Sequence, residues 1–433
     1  MTILELNVPG IPSTGADALS VRHVDVKEGL NAPFQITVLA RSRNQAISFS
    51  SIVGQGVRLT IRASSDAGAA ARVWTGICSL LEQVEAETNG VSTYLLHVVP
   101  RLWLLGQRRS CRLFQHRTLP QIARSLLEAH GVPFRFQIDE AAYRRLEYRV
   151  QYNETDLDFF HRIVEEAGIT YFLAEESGET QLVLADAPET RSPRSSAIRF
   201  VGDTEREAPG DVAYSVQISE AVVPGRCRVR DFDFRNPSYG LAGTSPGAES
   251  AEVSLEQFSY EPGYSWALAT NPTGQTPTAD DRGAYRGESS HADDRARRAY
   301  ESLRSAKRQV QLQTNALDVS PGVVLTVTDH PHPDLERALL VADTSIVATV
   351  EGEFTMGARA LFADVPHRPP LRTRKPRIAG PQSAIVVGPG NDEIHVDEFG
   401  RVRVQFHWDP EGTADDESSC WIRVSQGWGG AGY

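Results

Sequence analysis

The residues best placed for chemistry are Asp329-His330-Pro331-His332-Pro333-Asp334. Two imidazoles two positions apart share one face of an extended segment. With carboxylates on either side they make a donor set suited to a divalent transition metal. The prolines supply a competing reason for the pattern, since Pro and Asp mark turns without any ligand. The turn is the preferred reading. His291-Ala292-Asp293-Asp294 puts acids where a helix would start, and negative charge is favoured there in any case. His407 alternates with apolar neighbours and reads as a solvent-facing strand residue. The four cysteines, Cys78, Cys111, Cys227 and Cys420, form no CxxC pair and no zinc spacing. They read as reduced, mostly buried thiols. No GxSxG, HExxH or GxxxxGK[ST] motif occurs. A pair of hydrolytic carboxylates leaves no spacing signature, because the fold decides which ones meet. The expectation is no catalytic residue, no bound metal and no cofactor.

A second kind of candidate is a surface. Arg101, Arg108, Arg109, Arg112 and Arg117 form a basic run with no acid between its ends. Such a run reads first as a solvated or ion-paired face. The alternative is a contact with acidic residues of a neighbouring subunit. Trp408, Trp421 and Trp428 sit in or beside alternating segments near the C-terminal end and are the apolar counterpart of that surface.

The elements that must hold these residues are mainly strands. Phe34–Leu39, Val57–Arg62, Arg72–Leu80 and Tyr94–Val99 alternate or are apolar between Gly, Pro and Asn, the pattern of an antiparallel barrel or sandwich. Residues 118 to 130 predict a helix capped by Thr118 and closed by Gly131 and Pro133. A second helix starts at Thr155 and stops at Gly168, with Glu154, Asp156 and Asp158 near its positive end. Phe159, Phe160, Tyr171 and Phe172 belong to its core. Strands return at 214–218 and 227–234. A polar Gly/Ser/Pro-rich stretch, 237–290, reads as an insertion. A long helix is expected over 292–312, then strands at 323–327 and 338–350. Gly56-Val57-Arg58-Leu59-Thr60-Ile61 echoes Gly322-Val323-Val324-Leu325-Thr326-Val327 in pattern, although any two barrel strands share this much. The charged, proline-rich segment 366–377 reads as a solvated linker. After it, Arg401–Trp408 alternates strictly, an acidic loop follows, and Cys420–Ser425 is a further strand candidate.

Length and composition set the class. A chain of 433 residues exceeds one core and implies several domains. Its net charge of −12 argues against broad nucleic-acid binding, which needs cations to neutralise phosphates. No run of eighteen apolar residues exists to span a membrane. Met1-Thr2-Ile3-Leu4-Glu5 lacks the basic start and apolar core of a signal peptide, so general export is not expected.

Three blocks carry a family resemblance. "DEFGRVRVQFHWDPEG" with "SSCWIRVSQGWGGAGY" (396–433), "YLLHVVPRLWLLGQRRSCRLFQHRTLPQIARSLLEAHGV" (94–131) and "YRVQYNETDLDFFHRIVEEAGITYFL" (148–173) resemble VgrG, the spike proteins of type VI secretion, kin to the hub and spike of contractile phage tails. The resemblance implies two similar hub barrels, 1–107 and 205–236 plus 312–365. Insertions fill 108–204 and 237–311, a linker covers 366–377, and an incomplete OB-fold occupies 378–433. The fold class is therefore α+β, mainly β. The chain stops at Tyr433, before the remaining OB strands and the β-helical needle such proteins carry, and is expected to be the base of a spike without its point. The resemblance further implies a structural role as a homotrimer on a tube of hexameric Hcp rings. An effector, an adaptor or a PAAR-type tip would join through the C-terminal part. The protein would be cytoplasmic until secreted by the type VI apparatus. Arg101, Arg108, Arg109, Arg112, Trp408, Trp421 and Trp428 become candidate subunit or tube contacts. A cell-wall hydrolase and the baseplate hub of a phage tail or other injection particle remain the alternatives.

Overall fold

The computed structural model describes residues 3–63, 70–87, 90–202, 210–232, 240–248, 251–262, 289–390, 394–397 and 400–425. Strands dominate. The first six are β1 (Ile3–Asn7), β2 (Ser20–Gly29), β3 (Ala32–Ser42), β4 (Gly56–Arg62), β5 (Ala71–Ala86) and β6 (Ser92–Val99). Then come β7 (Arg109–Arg117), α1 (Leu119–Ala129), β8 (Phe134–Gln137), β9 (Leu146–Thr155), α2 (Asp156–Ala167), β10 (Thr170–Glu176) and β11 (Glu179–Ala185). They are followed by β12 (Ile198–Phe200), β13 (Val212–Glu220), β14 (Arg226–Arg230), β15 (Ala242–Thr244), β16 (Glu256–Tyr260) and α3 (Ser289–Ser305). The remainder are β17 (Arg308–Thr314), β18 (Val324–Leu325), β19 (Val327–Thr328), β20 (Leu339–Thr349), β21 (Phe354–Phe362), β22 (Ala384–Val387) and β23 (Arg403–Phe406).

One large sheet unites the two ends of this list. Its order is β1-β4-β5-β6-β3-β2-β20-β21-β17-β13-β12-β19, with β18 beside β20. The order repeats. β2-β3-β6-β5-β4 are neighbours in the N-terminal part, and β13-β17-β21-β20-β18 are neighbours in the same sense in the later part. The irregularities repeat as well. β5 slips against β6 between Cys78 and Leu80, and β20 slips against β21 between Val341 and Asp343. The stretch 56–61 lies beside β5 and residues 323–325 lie beside the corresponding strand β20, while Val327 passes on to pair with β12.

Alternation explains the core. In β3, Phe34, Ile36, Val38 and Ala40 are buried, and the same periodicity buries Val24 and Val26 in β2 and Ile346 and Ala348 in β20. All of these but Ala348 belong to one cluster that runs through both sets of strands. A second core belongs to the α/β insertion, where Ile122, Leu126 and Leu127 of α1 meet Phe159, Phe160 and Ile163 of α2. Thr118 caps α1 reciprocally with Gln121, and Gly168 closes α2 with φ of 72°.

Several expected boundaries move. The long helix ends at Ser305, and the Arg308–Thr314 segment is strand, because Val310, Leu312 and Thr314 alternate with polar residues and pair with β13 and β21. β14 does not join the large sheet; it pairs with β15 and β16 in a small sheet under α3, where Val229 packs against Ala292 and Ala296. Much of 237–290 lies outside the described residues, but β15 and β16 give that stretch ordered structure. The linker is docked as well as polar: the Glu165 carboxylate accepts from the backbone N–H of Arg372 at 3.0 Å and of Thr373 at 2.9 Å. β23 is shorter than its alternation suggests but has a partner, β22, while residues 420–425 contribute only the bridge Val402–Ile422.

Candidate functional site

The basic run divides between surface and interior. Arg101, Arg108, Arg109 and Arg117 are exposed. Arg112 is not. At 7% exposure it lies inside the α/β insertion, and its Nη2 donates to Asp156 Oδ1 at 2.7 Å while its Nε donates to Gln151 Oε1 at 2.9 Å. Asp156 is fully buried at the first residue of α2. It also accepts from Gln151 Nε2 at 2.8 Å and lies 2.8 Å from His130 Nε2. Glu154 pairs with Arg162 at 2.5 Å. The acids ahead of α2 therefore do more than face the helix dipole; they neutralise buried arginines. Arg112 is unavailable as an outward contact, which corrects its place among the candidate surface residues.

Arg108 reaches from this cluster to the C-terminal segment, pairing with Glu411 at 3.3 Å. Gln115 Nε2 donates to the Glu417 carbonyl at 2.6 Å, and Gln382 Nε2 to Tyr152 Oη at 2.9 Å. Together these contacts tie β7 and β9 to the segment around β22 and β23. A groove of about 600 Å³ lies between the two parts, lined by Phe114, His116, Arg403, Asp409 and Glu417. Burial first, then Arg403 and Arg145, holds His116 below the usual imidazole range.

The tryptophans are structural anchors here. Trp408 stacks on Phe406 with centroids 4.8 Å apart, meets Tyr152 edge-on at 5.3 Å and donates to Gln382 Oε1 at 2.9 Å. Trp421 lies under the Arg403 guanidinium at 4.7 Å and beside His395 at 4.9 Å. Both keep part of their surface open. Trp428 lies outside the described residues. On β22 and the segment after it, Ile385, Val386, Ile394 and Val396 are all at least half exposed.

The Pro-rich histidine pair is folded as a turn. His330 Nδ1 accepts the backbone N–H of His332 at 3.0 Å, and His332 Nδ1 accepts that of Asp334 at 3.3 Å. The His330 ring packs on Phe200 at 4.5 Å. Asp334 takes a second partner, Arg308 Nη2, at 2.5 Å. His407 is exposed. None of the four cysteines is in a disulfide; Cys78 and Cys227 are buried, and burial pushes each up to about 11. Among the described residues no three His, Cys, Asp or Glu side chains come together as a metal site.

Sequence reasoning missed a second buried charge cluster. Glu28 of β2 accepts from Trp74 Nε1 at 2.9 Å and from Thr344 Oγ1 at 3.2 Å, and it pairs with Arg72 of β5. Arg72 also donates to the Val319 carbonyl at 2.8 Å. The two sets of strands are thereby linked through polar atoms as well as apolar ones. Nothing in the alternation of β5 distinguishes Arg72 from an ordinary outward-facing residue.

The comparisons with known proteins agree with this architecture. The family model of the phage tail baseplate hub (GPD) matches residues 27–351. The type VI secretion system spike protein VgrG4b of Pseudomonas aeruginosa is 34% identical over 368 residues, covering 79% of this chain and 43% of its own length. VgrG2a of the same organism is 30% identical over 440 residues, covering 99% of this chain and 50% of its own. The chain spans about half the length of the curated relatives it matches. Among solved structures, the E. coli c3393 protein is described as a type VI secretion component with structural similarity to the T4 bacteriophage tail proteins gp27 and gp5. It superposes with a TM-score of 0.65 at 18% identity over 93% of this chain and 88% of that one. A chain of the Francisella PdpA-VgrG complex gives 0.59 at 10% identity, covering 100% and 74%. The chain belongs to the phage tail baseplate hub family and is a relative of the VgrG spike proteins of type VI secretion.

Proposed function

We propose that this chain is the base of a type VI secretion spike. Three copies would cap a tube of hexameric Hcp rings and carry the parts that puncture a target membrane and deliver effectors. The observation that carries this reading is the repeated strand order within one chain. Two similar barrel-like units per chain give a trimer six near-equivalent faces, which matches a three-fold spike to a six-fold tube. The exposed Arg101, Arg108 and Arg109 would meet acidic residues of the tube or of a neighbouring subunit. The apolar surface near β22 would meet its counterparts around the three-fold axis, as the start of an OB-fold. Effector, adaptor or PAAR-type tip proteins would attach beyond it. The protein would act from the cytoplasm of the producing cell and leave through the apparatus itself.

The role is mechanical, without hydrolysis. The relatives are named as spike proteins, and the His330–His332 pair is engaged in turn bonds. Digestion of purified peptidoglycan by the chain would overturn that part. Binding to purified Hcp rings, read by co-sedimentation and electron microscopy, tests the rest. The expected result is density at one end of the tube; no association with the rings would sink the proposal. The family match to baseplate hubs keeps one rival, a hub of a phage tail, which would bind its own tube protein and not Hcp.

A further inference from the structure

The small sheet under α3 has a second, exposed face. Its strands run β15-β14-β16, with β16 parallel to β14 and at the edge. Alternation gives β14 two sides. Cys227 and Val229 are buried, and Val229 packs against Ala292 and Ala296 of α3. Arg226, Arg228 and Arg230 belong to the other side, and the register sets Glu256, Phe258 and Tyr260 of β16 beside them on that face. Phe258 is 55% and Tyr260 56% exposed. Two open aromatic rings next to a row of arginines form a cationic patch on a chain of net charge −12. Aromatic and arginine side chains are also the ones that most often anchor protein interfaces.

The edge of the same sheet is open as well. In a parallel ladder, alternate residues of a strand bond to a given neighbour. The Glu261 N–H donates to the Arg230 carbonyl, and the Leu255 carbonyl accepts from the Gly225 N–H. The odd-numbered residues of β16 therefore turn their backbone groups towards β14. Phe258 and Tyr260 turn theirs outward, where no strand pairs with β16 among the described residues. We propose that this edge and face receive an acidic segment of a partner protein, added in extended form as a fourth strand beside β16. Such a strand completes the free N–H and C=O groups of residues 258 and 260. It lies about 4.8 Å beyond β16 and about 9.6 Å from β14. Its side chains on the open face rest on Phe258 and Tyr260, and its carboxylates reach over the rings to the arginines.

Charge sets the order of the incoming residues. Arg228 is already paired with Glu256 at 3.3 Å. Arg230 has no carboxylate partner among the described residues. An acid of the partner is therefore favoured at the Tyr260 end, beside Arg230, where the pair is charge-assisted. An apolar residue is favoured over Phe258, nearer to Glu256. A single-stranded nucleic acid also stacks on rings set among cations. Three features favour the polypeptide. The open edge offers main-chain bonds that a nucleic acid does not complete. Glu256 stands on the same face and repels phosphate. The net charge of −12 opposes a polyanion at long range more than a short acidic segment.

The test uses the 433-residue chain and a displayed library of random twelve-residue peptides. Enriched peptides should carry Asp or Glu alternating with large apolar residues. Made synthetically with a fluorescein label, they should bind the chain by fluorescence anisotropy. Arg230→Glu and Tyr260→Ala should each weaken that binding at least about tenfold. Both residues are exposed, so the fold tolerates the changes. Strand addition makes one further demand that a face contact alone does not. N-methylation of every second peptide bond should abolish binding in one phase and leave it nearly unchanged in the other. No enriched peptides, peptides without acids, binding that both variants leave intact, or equal loss in both methylation phases would each overturn the proposal. Fluorescein-labelled oligo-dT that binds with the same dependence on Arg230 and Tyr260 would give the face to nucleic acid instead. Self-association lost on Tyr260→Ala would give it to a second copy. Either result would also overturn the proposal.

Discussion

Arg112 holds its charge inside the α/β insertion, where Asp156 and Gln151 meet it and His130 in turn meets Asp156. Removing one partner of such a buried pair leaves the other uncompensated, at a cost of about 3–5 kcal/mol. Asp156→Ala should therefore lower unfolding free energy by that order in a denaturant titration. Arg109→Ala, on the exposed part of the same run, should change it by less than about 0.5 kcal/mol. His367 makes a different point. Burial, with Arg368 and Arg359 beside it, pushes its imidazole down to about 4. Unfolded, the same ring takes up a proton near pH 6.5. Between those values the unfolded chain binds the extra proton, so this stability is fully present above about pH 6.5 and is lost as pH falls towards 4. The gap is worth roughly 3 kcal/mol. Unfolding measured at pH 7 and pH 4.5 should show the loss, and His367→Leu should shrink it; an unchanged pH dependence would clear His367 of the effect.

At the scale of elements, what the sequence revealed depends on whether local chemistry decided the outcome. α1 and α2 were legible because Thr118, Thr155 and Gly168 cap them locally. α3 ran too far in the sequence reading because its basic tail is polar enough to continue a helix. Only pairing with β13 and β21 makes Arg308–Thr314 a strand. β14 alternates like any barrel strand, and only its contact with α3 sends it to the small sheet. The buried Arg112 and Arg72 were invisible for the same reason, since their partners Asp156 and Glu28 lie 44 residues away in each case. Gly322 joins the two kinds of information. It has φ of 85°, and an added Cβ would lie 2.6 Å from the Phe172 ring of the insertion. Gly352 has φ of 96° with open space around it. Gly322→Ala should thus cost roughly 2 kcal/mol or more, and Gly352→Ala about 1 kcal/mol. Equal losses in thermal unfolding would show that the contact with Phe172 adds nothing.

At the scale of the whole molecule, the spike-base reading raises the question of how firmly three copies would hold together. Within the chain the two sets of strands join along β2 and β20, from His23–Thr349 to Gly29–Asp343. The internal pairing is helped by chain connectivity, which makes the second unit a permanent neighbour. Between chains no such help exists, and association also loses translational and rotational freedom. A contact of that length between separate chains would sit at the weak end of protein interfaces. The apolar residues around β22, such as Ile385 and Val386, add area only if three chains meet there. The 433-residue chain should therefore be monomeric when dilute and move towards three copies as concentration rises into the micromolar range and above. Mass by light scattering across a dilution series reads this directly. A mass of three copies that persists at the lowest measurable concentration would mean that the contacts are far stronger than one strand edge supplies. Monomers throughout, even at the highest concentration reached, would count against the three-copy assembly of the spike-base reading.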